Sequence, residues 1–276
     1  MYPSISIVTP SFNSAKYIEE CILSVQNQQY TNFEHIIVDG GSTDGTLEIL
    51  KKYEHLKWIS EQDQGQSDAL IKGFKKATGD IIGWLNADDV YLKGTFQNVV
   101  NTLSDVRVDG VYSNYLFCDE ELRPTKEIVT HRPVRWLALF HCYIPSVTFF
   151  FKRKLLDNGL TIDTDYYLAM DKEFFAHILF AGFNIQYEDK FFSMFRWHEN
   201  NKSKESANTN RTRIQEGLKI YNRYSTLPVP VNFITLWSYH ILDDIILKPI
   251  SAFLKKRSLG HIFLRRRARI DKRSKS

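Results

Sequence analysis

Hydrophobic positions along the first ninety residues switch between two periods. "SISIVTP" (Ser4 to Pro10) and "FEHIIVDG" (Phe33 to Gly40) are short β-branched runs closed by turn residues, whereas Tyr17, Ile18, Cys21, Ile22 and Val25 recur at the spacing of one helix face. The rhythm continues with a helix over "TLEILKKY" (Thr46 to Tyr53), a strand over "LKWIS" (Leu56 to Ser60), a helix over "SDALIKGFKKA" (Ser67 to Ala77) and a strand over "DIIGWLN" (Asp80 to Asn86). Strands alternating with helices predict parallel pairing, because a parallel neighbour is reached only through a crossover. The expected fold class is α/β, a Rossmann-like, mostly parallel central sheet with flanking helices.

After Lys93 the pattern loosens. It predicts a helix near Gly94 to Leu103, a strand over "DGVYSNYLF" (Asp109 to Phe117), an aromatic segment "HCYIPSVTFFFK" (His141 to Lys152) and a helix over Tyr167 to Ala181. "FNIQYED" (Phe183 to Asp189) and "FFSMFRWH" (Phe191 to His198) read as two strands, followed by a helix around Asn208 to Tyr224. The proline-bearing "LPVPV" at Leu227 to Val231 marks a linker, dividing the chain into a domain over 1–226 and a helical, basic extension over 227–276.

Composition refines this picture at three points. A chain of 276 residues with 43% hydrophobic content buries a real core and suits one α/β domain with an appendage. The three cysteines, Cys21, Cys118 and Cys142, show no CxxC spacing and leave one unpaired in any disulfide scheme, which favours a reducing, cytoplasmic setting. The first residues lack the basic flank and long apolar region of a signal peptide and read directly as a strand.

The net charge is +4, yet ten Lys or Arg against one Asp fall between Lys255 and Ser276, leaving 26 basic and 31 acidic residues before them. The apolar stretch ahead of this tail, Val231 to Leu254, is broken by Asp243, Asp244, Lys248 and Pro249, short of the ~18 uncharged residues of a spanning helix. An interfacial element on an anionic leaflet accounts for the combination, each cation near such a surface adding about 1 kcal/mol. The other reading is a core or dimerising helix with a solvated tail. Nucleic acid is not an expected partner, because few aromatics interleave with the cations.

In an open α/β sheet, ligands gather beyond the carboxyl ends of the parallel strands. Those ends carry Thr9, Pro10, Ser11, Phe12 and Asn13; Asp39, Gly40, Gly41, Ser42 and Asp44; Glu61 to Gln64; and Asn86, Asp88 and Asp89. Neither GxGxxG nor GxxxxGK[ST] is present, so carboxylates converge without a phosphate-cradling loop. That combination points to Mn2+ or Mg2+ carrying any phosphate, since such ions take one or two carboxylates plus substrate oxygens. Taken singly, "NADD" also suits a cap and "DGGSTDGT" an ordinary turn.

Together, "SIVTPSFN", "IIVDGGSTDGT", "SEQDQGQSDALIKGF", "ATGDIIGWLNADD" and "FRWHENNKS" resemble the ordered motifs of family 2 glycosyltransferases, over roughly Ser4 to Ser203. The resemblance implies a GT-A fold and an inverting, metal-dependent hexosyltransferase that moves a sugar from a nucleotide-diphospho-sugar, UDP favoured, to a hydroxyl of a lipid-linked or growing surface glycan. By the same resemblance, Thr9, Pro10 and Phe12 line the nucleotide pocket, Asp39 bonds the base, and Asp68 contacts the donor. Asn86 and Ala87 lie against the donor, and Asp88 ligates the metal, with Asp89 a second candidate. Asn86 stands where many relatives carry Asp, so it can bond a hydroxyl but brings no charge to the metal. His198 approaches the diphosphate or metal, with Arg196, Lys202 and Ser203 closing the same loop over donor phosphates.

An inverting displacement needs one carboxylate to take the acceptor proton. "TDYYLAMDKEFFAHILFAGF" offers Asp171 and Glu173, of which Asp171 is expected to be the base. Two other functions stay open on sequence: a catalytically silent sugar-nucleotide-binding scaffold at the membrane, and a nucleotidyltransferase, although "TPSFNSAKY" supplies no basic glycine-rich loop.

Overall fold

The computed structural model describes residues 2–202 and 207–226, together with 250 and 253. The linker and basic extension read from 227 onward, and the loop residue Ser203, lie outside the described residues apart from those two positions.

The first half of the chain folds as its periodicity predicts. Strands β1 (Ile5–Ser11), β2 (Phe33–Asp39), β3 (Leu56–Ser60) and β4 (Ile81–Trp84) alternate with helices α1 (Ile18–Gln26), α2 (Thr46–Leu50) and α3 (Gln66–Lys76). The four strands are parallel in the order β3-β2-β1-β4. Every residue of β1 is buried, as expected of a central strand covered on both faces. Ile7 and Val8 therefore enter different cores: Ile7 joins Ile5, Cys21, Val25 and Phe96 under α1, and Val8 joins Val38, Leu70 and Phe74 under α3. Helix α3 lies so close to the sheet that a Cβ on Gly73 would sit 2.2 Å from Val8 Cγ1.

Beyond β4 the sheet changes character. A two-residue strand β5 (Val90–Tyr91), helix α4 (Thr95–Leu103) and strands β6 (Gly110–Cys118), β7 (Pro124–Ile128) and β8 (Phe150–Lys152) come next in the chain. A short helix α5 (Lys154–Asp157), helix α6 (Met170–Phe180), strand β9 (Ile185–Arg196) and helix α7 (Ala207–Tyr224) complete it. The sheet order is β3-β2-β1-β4-β8-β6-β9-β5, with β7 paired to β6 off this path. β8 is antiparallel to both β4 and β6, β6 is parallel to β9, and β5 is antiparallel to β9.

One sequence reading is corrected here: the two strands expected over Phe183 to His198 are a single twelve-residue strand. The polar Glu188-Asp189-Lys190, read as a break, is carried through by register shifts opposite Ser113, Asn114 and Tyr115. Its charges find partners on β6 and α4. Asn114 Nδ2 donates to Asp189 Oδ1 (3.2 Å), and Lys190 Nζ donates to Asn98 Oδ1 (2.6 Å).

Candidate active site

The parallel strand ends are laced into one rim by the backbone: Gly40 N donates to Ser11 O (2.8 Å), Glu61 N to Asp39 O (3.0 Å) and Leu85 N to Val8 O (3.1 Å). Asp39 closes β2, fully buried, and its carboxylate accepts from Gly41 N (3.1 Å), Ser42 N (2.9 Å), Ser42 Oγ (2.5 Å) and Ser60 Oγ (2.7 Å). Its polar loop then ties back to β1, with Asn13 N donating to Ser42 Oγ (2.7 Å) and Thr43 N to Asn13 Oδ1 (3.0 Å). Gly41 at φ +85° and Asn13 at φ +47° supply the left-handed turns this interlock requires.

Of the β1 residues expected to face a nucleotide, Phe12 is 64% exposed at the rim, whereas Pro10 is buried. Thr9 is wholly buried and its Oγ1 lies 2.9 Å from His35 Nε2. Its side chain therefore serves the core instead of lining the rim. Asp68 sits in the first turn of α3, accepting Gln64 N (3.2 Å) and paired with Lys72 (3.2 Å).

The loop after β4 is the most tightly built part. Asn86 Oδ1 accepts from Trp84 Nε1 (2.9 Å) and Gln66 Nε2 (2.8 Å), and its Nδ2 donates to Asp89 Oδ2 (3.0 Å). Its amide thus acts as the hub of this loop, with the carbonyl already accepting twice. Ala87 is buried against Ile18, Ile22 and Leu50. Asp89, the second metal candidate, is fully buried, bonded by Arg196 N (3.0 Å) and Asn86. Burial and then the neighbouring Asp88 push its carboxyl well above the ordinary range, which suits an internal anchor and not a ligand.

Asp88 alone turns outward, about a quarter exposed. Its Oδ2 lies 2.9 Å from His198 Nε2 and accepts from Asn201 Nδ2 at 3.4 Å. His198 Nδ1 accepts the Asn200 N–H (3.2 Å), which leaves Nε2 as the ring nitrogen facing Asp88. Among the described residues no group of three His, Cys, Asp or Glu converges on a metal position, so Asp88 and His198 form a two-donor set. Such a set fits Mn2+ or Mg2+, which complete their shells with substrate phosphate and water.

Arg196 corrects the expectation that it reaches donor phosphates. Its side chain is 1% exposed: Nε donates to Asp88 O (2.9 Å), Nη1 to Glu120 O (2.6 Å) and Nη2 to Glu20 Oε2 (2.5 Å), with the guanidinium 4.5 Å from the Tyr17 ring centre. Its fork holds the backbone of the Asp88 loop from behind. Tyr17 packs on His198 as well, at 4.8 Å between centroids. Lys202 lies 3.8 Å from the Tyr167 ring centre, a cation over an exposed aromatic.

Asp171 stands in the first turn of α6, its Oδ1 accepting Lys172 N (2.7 Å) and its Oδ2 lying 3.7 Å from Cys142 Sγ. Burial is the largest influence on it and raises its carboxyl above the usual range, in the direction a general base requires. The alternative base, Glu173, is excluded by its surroundings: 1% exposed, it accepts Tyr224 Oη (2.6 Å) and pairs with Arg223 (3.0 Å) inside the α6–α7 contact.

A chain of contacts joins the Asn86 loop to the start of α6. Gln66 reaches Asn86 from the start of α3, and the next residue, Ser67, places Oγ 2.9 Å from Met170 Sδ, immediately before Asp171. Sequence reasoning missed what aims α6. Glu216 of α7, 6% exposed, accepts Tyr167 N (2.9 Å), Leu168 N (2.9 Å) and Ala169 N (2.7 Å), capping α6 with a carboxylate from another helix. No local pattern around Glu216 signals that role, because its partners lie 47 to 49 positions away.

Comparison with known proteins agrees with this geometry. The family model described as Glycosyl transferase family 2 matches residues 6–179. A Bacillus subtilis protein named for teichuronic acid biosynthesis, the glycosyltransferase TuaG, is 30% identical over 137 residues, 48% of this chain and 54% of its own. The chain spans about half the length of the first curated relatives it matches. Among solved structures, S. aureus TarS 1-349 in complex with UDP-GlcNAc superposes with a TM-score of 0.64 at 19% identity, covering 82% of this chain and 68% of that one. The Pyrobaculum calidifontis mannosyltransferase PcManGT in complex with GDP-Man and Mn2+ gives a TM-score of 0.61 at 19% identity, covering 95% and 75%. Both likenesses establish the GT-A fold expected from the sequence.

Proposed function

Since the chain belongs to glycosyltransferase family 2, we propose that it transfers one sugar, with inversion, from a nucleotide-diphospho-sugar to a hydroxyl of a lipid-linked or growing surface glycan. The observation that carries the reading is that two unlike carboxylates stand at segments joined through Gln66 and Ser67. Asp88, outward-facing and bonded to His198, serves the donor side, while Asp171, partly buried with a raised affinity for its proton, serves the acceptor side.

Each residue then has a task. Phe12 and the Asp39 loop border the nucleoside end of the rim, and Asp68 marks the start of α3 beside them. Asp88 and His198 hold a divalent cation, Mn2+ or Mg2+, whose charge offsets that of a diphosphate. Arg196 and Asn86 fix the Asp88 loop from inside, so its carboxylate needs no reorganisation when a donor arrives. Asp171 accepts the acceptor proton as the new glycosidic bond forms on the face opposite the departing diphosphate.

UDP is the favoured nucleotide, supported by the bound UDP-GlcNAc of TarS, and a glycan acceptor is supported by the name of the teichuronic acid relative. A thermal-shift screen of UDP-, GDP- and dTDP-sugars with and without Mn2+ tests the donor; no shift with any of them would sink the reading. Asp171→Asn is expected to lower transfer by at least ~100-fold while UDP affinity is kept, read by initial rates beside calorimetric titration. Normal turnover in that variant overturns the base assignment.

No helix among the described residues is long and apolar enough to cross a membrane. The basic extension over 227–276 is proposed to hold the enzyme peripherally on the anionic inner face of the plasma membrane, where a lipid-linked acceptor is presented from the cytoplasm. Liposome co-sedimentation of the full chain and of residues 1–230 decides this. Anionic vesicles should pellet the full chain alone, and equal pelleting of both removes the idea.

A further inference from the structure

Two contacts tie the first turn of α6 to the segment 140–144 ahead of β8. Lys172 Nζ donates to Phe140 O (3.1 Å), and Cys142 Sγ lies 3.7 Å from Asp171 Oδ2. The segment is held on both sides of the cysteine. His141 N donates to Leu137 O (2.9 Å), Thr130 Oγ1 donates to Tyr143 O (2.7 Å), and Tyr143 Oη accepts Val134 N (2.8 Å). The place of the thiol is thus set by its neighbours in the chain.

The two carboxyl oxygens of Asp171 are held unequally. Oδ1 accepts the Lys172 N–H at 2.7 Å, a firm backbone bond, whereas Oδ2 has the thiol, a weak donor with a single hydrogen. That hydrogen has a second acceptor, Ile144 O, also 3.7 Å from Sγ. A donor equally far from two oxygens serves the one with more negative charge. An ionised Asp171 draws the thiol hydrogen to itself, and a protonated one loses that advantage to the carbonyl. The thiol keeps its own proton throughout, because burial first, and then the Asp171 charge, push it well above its ordinary range. The other charged groups that face Asp171 are Arg213 on α7 and Lys202 on the His198 loop, both cations that favour its ionised form.

We propose that Cys142 positions the base: its thiol donates to Asp171 Oδ2 while that carboxylate awaits the acceptor, and turns to Ile144 O once Oδ2 has taken the proton. The inference rests on the transferase reading above and deepens it by naming the oxygen that works. In the step, the acceptor hydroxyl gives its proton to Oδ2, and its oxygen bonds to the anomeric carbon of the donor sugar. The bond from that carbon to the diphosphate breaks, its electron pair leaving on the diphosphate oxygen. The thiol ends with the hydrogen it began with. Without it, the carboxylate loses a bond made only in its ionised form, and its affinity for a proton rises further.

The S–H stretching band of Cys142, isolated as the infrared difference between the full-length protein and Cys142→Ser, reads the acceptor of the thiol directly. It should move as pH is carried through the titration of Asp171, and the movement should vanish in Asp171→Asn. By 13C NMR of the aspartate carboxyls, Cys142→Ala should raise the pH at which Asp171 titrates by about one unit, and Cys142→Ser, a stronger donor, should return it to the starting value or below. A role in packing alone would lower the melting temperature of Cys142→Ala and leave that titration where it was. A band indifferent to pH, or a titration unmoved by either substitution, overturns the inference. Neither measurement needs a donor sugar, so the infrared and serine arms decide even where the alanine variant does not fold. Normal UDP release from UDP-GlcNAc with Mn2+ by Asp171→Asn would strike the base assignment, and the inference with it. Release lost in Asp171→Asn beside a pH-indifferent band would strike the inference alone.

Discussion

The site is decided by which carboxylates are satisfied and which are not. Asp39 and Asp89 spend their oxygens inside the fold, and Glu34 does the same at the other end of the sheet. Against the upward push of burial, Lys57, Ser6 and Thr78 hold Glu34 down to about 2. Its folded value lies below the ordinary 4.5 of a glutamate, so its stabilisation is present above that pH and is lost as pH falls toward 2. Asp171 behaves oppositely. Raised by burial, it binds its proton more tightly folded than unfolded, so stability falls as pH rises from the unfolded value through the folded one, and then levels. Asp171→Asn should therefore melt higher than the unaltered protein at pH 7, with the gap closing below about pH 4, by calorimetry. Asn86 supplies a second case: its Nδ2 donates to Asp89, so Asn86→Asp would set two carboxylates 3.0 Å apart. The expected cost is about 2 kcal/mol at pH 7, shrinking as acid protonates the pair, and urea midpoints at two pH values would show it.

Elements contribute aim. Helix α6 carries the proposed base, and Glu216 from α7 holds its entry by accepting three of the backbone N–H groups just ahead of it. Glu216→Ala should destabilise by about 2 kcal/mol and speed hydrogen exchange at Tyr167, Leu168 and Ala169, with Glu216→Gln intermediate. Helices α1 and α3 were readable because burial on one face imposes a period, as in Ile18, Cys21, Ile22 and Val25, and the parallel strands because burial on both faces leaves short apolar runs closed by turn residues. β7 was not, since Pro124 to Glu127 are exposed at an edge and need no apolar alternation. The join across Glu188 to Lys190 was hidden for a different reason: charges normally end a strand, and these are tolerated through partners on α4 and β6.

Across the whole molecule, the strand order separates two jobs. Parallel β3-β2-β1-β4 carries the rim on which the proposed donor residues lie, and the mixed β8-β6-β9-β5 half supplies Arg196, which braces that rim. The motif residues of the first half were legible one by one, Asp39 and Asp88 included, because Asp39 closes its strand and Asp88 lies in the short loop after β4. Their division of labour was not legible. That Arg196 braces the Asp88 loop instead of touching a donor depends on Glu20, 176 positions away, and on a carbonyl of Glu120.

That brace has a consequence for how the enzyme comes into being during synthesis. A ribosome delivers Asp88 and Asp89 more than a hundred residues before Arg196 and His198, so the nascent sheet holds an acidic knot with neither its clasp nor its histidine. A polypeptide ended after α6 would keep the whole span that marks the family, 6–179, yet lack the last strand and its loop. Such a fragment should fail to retain UDP and Mn2+ together, and competence would arrive late and all at once, with the threading of β9 between β6 and β5.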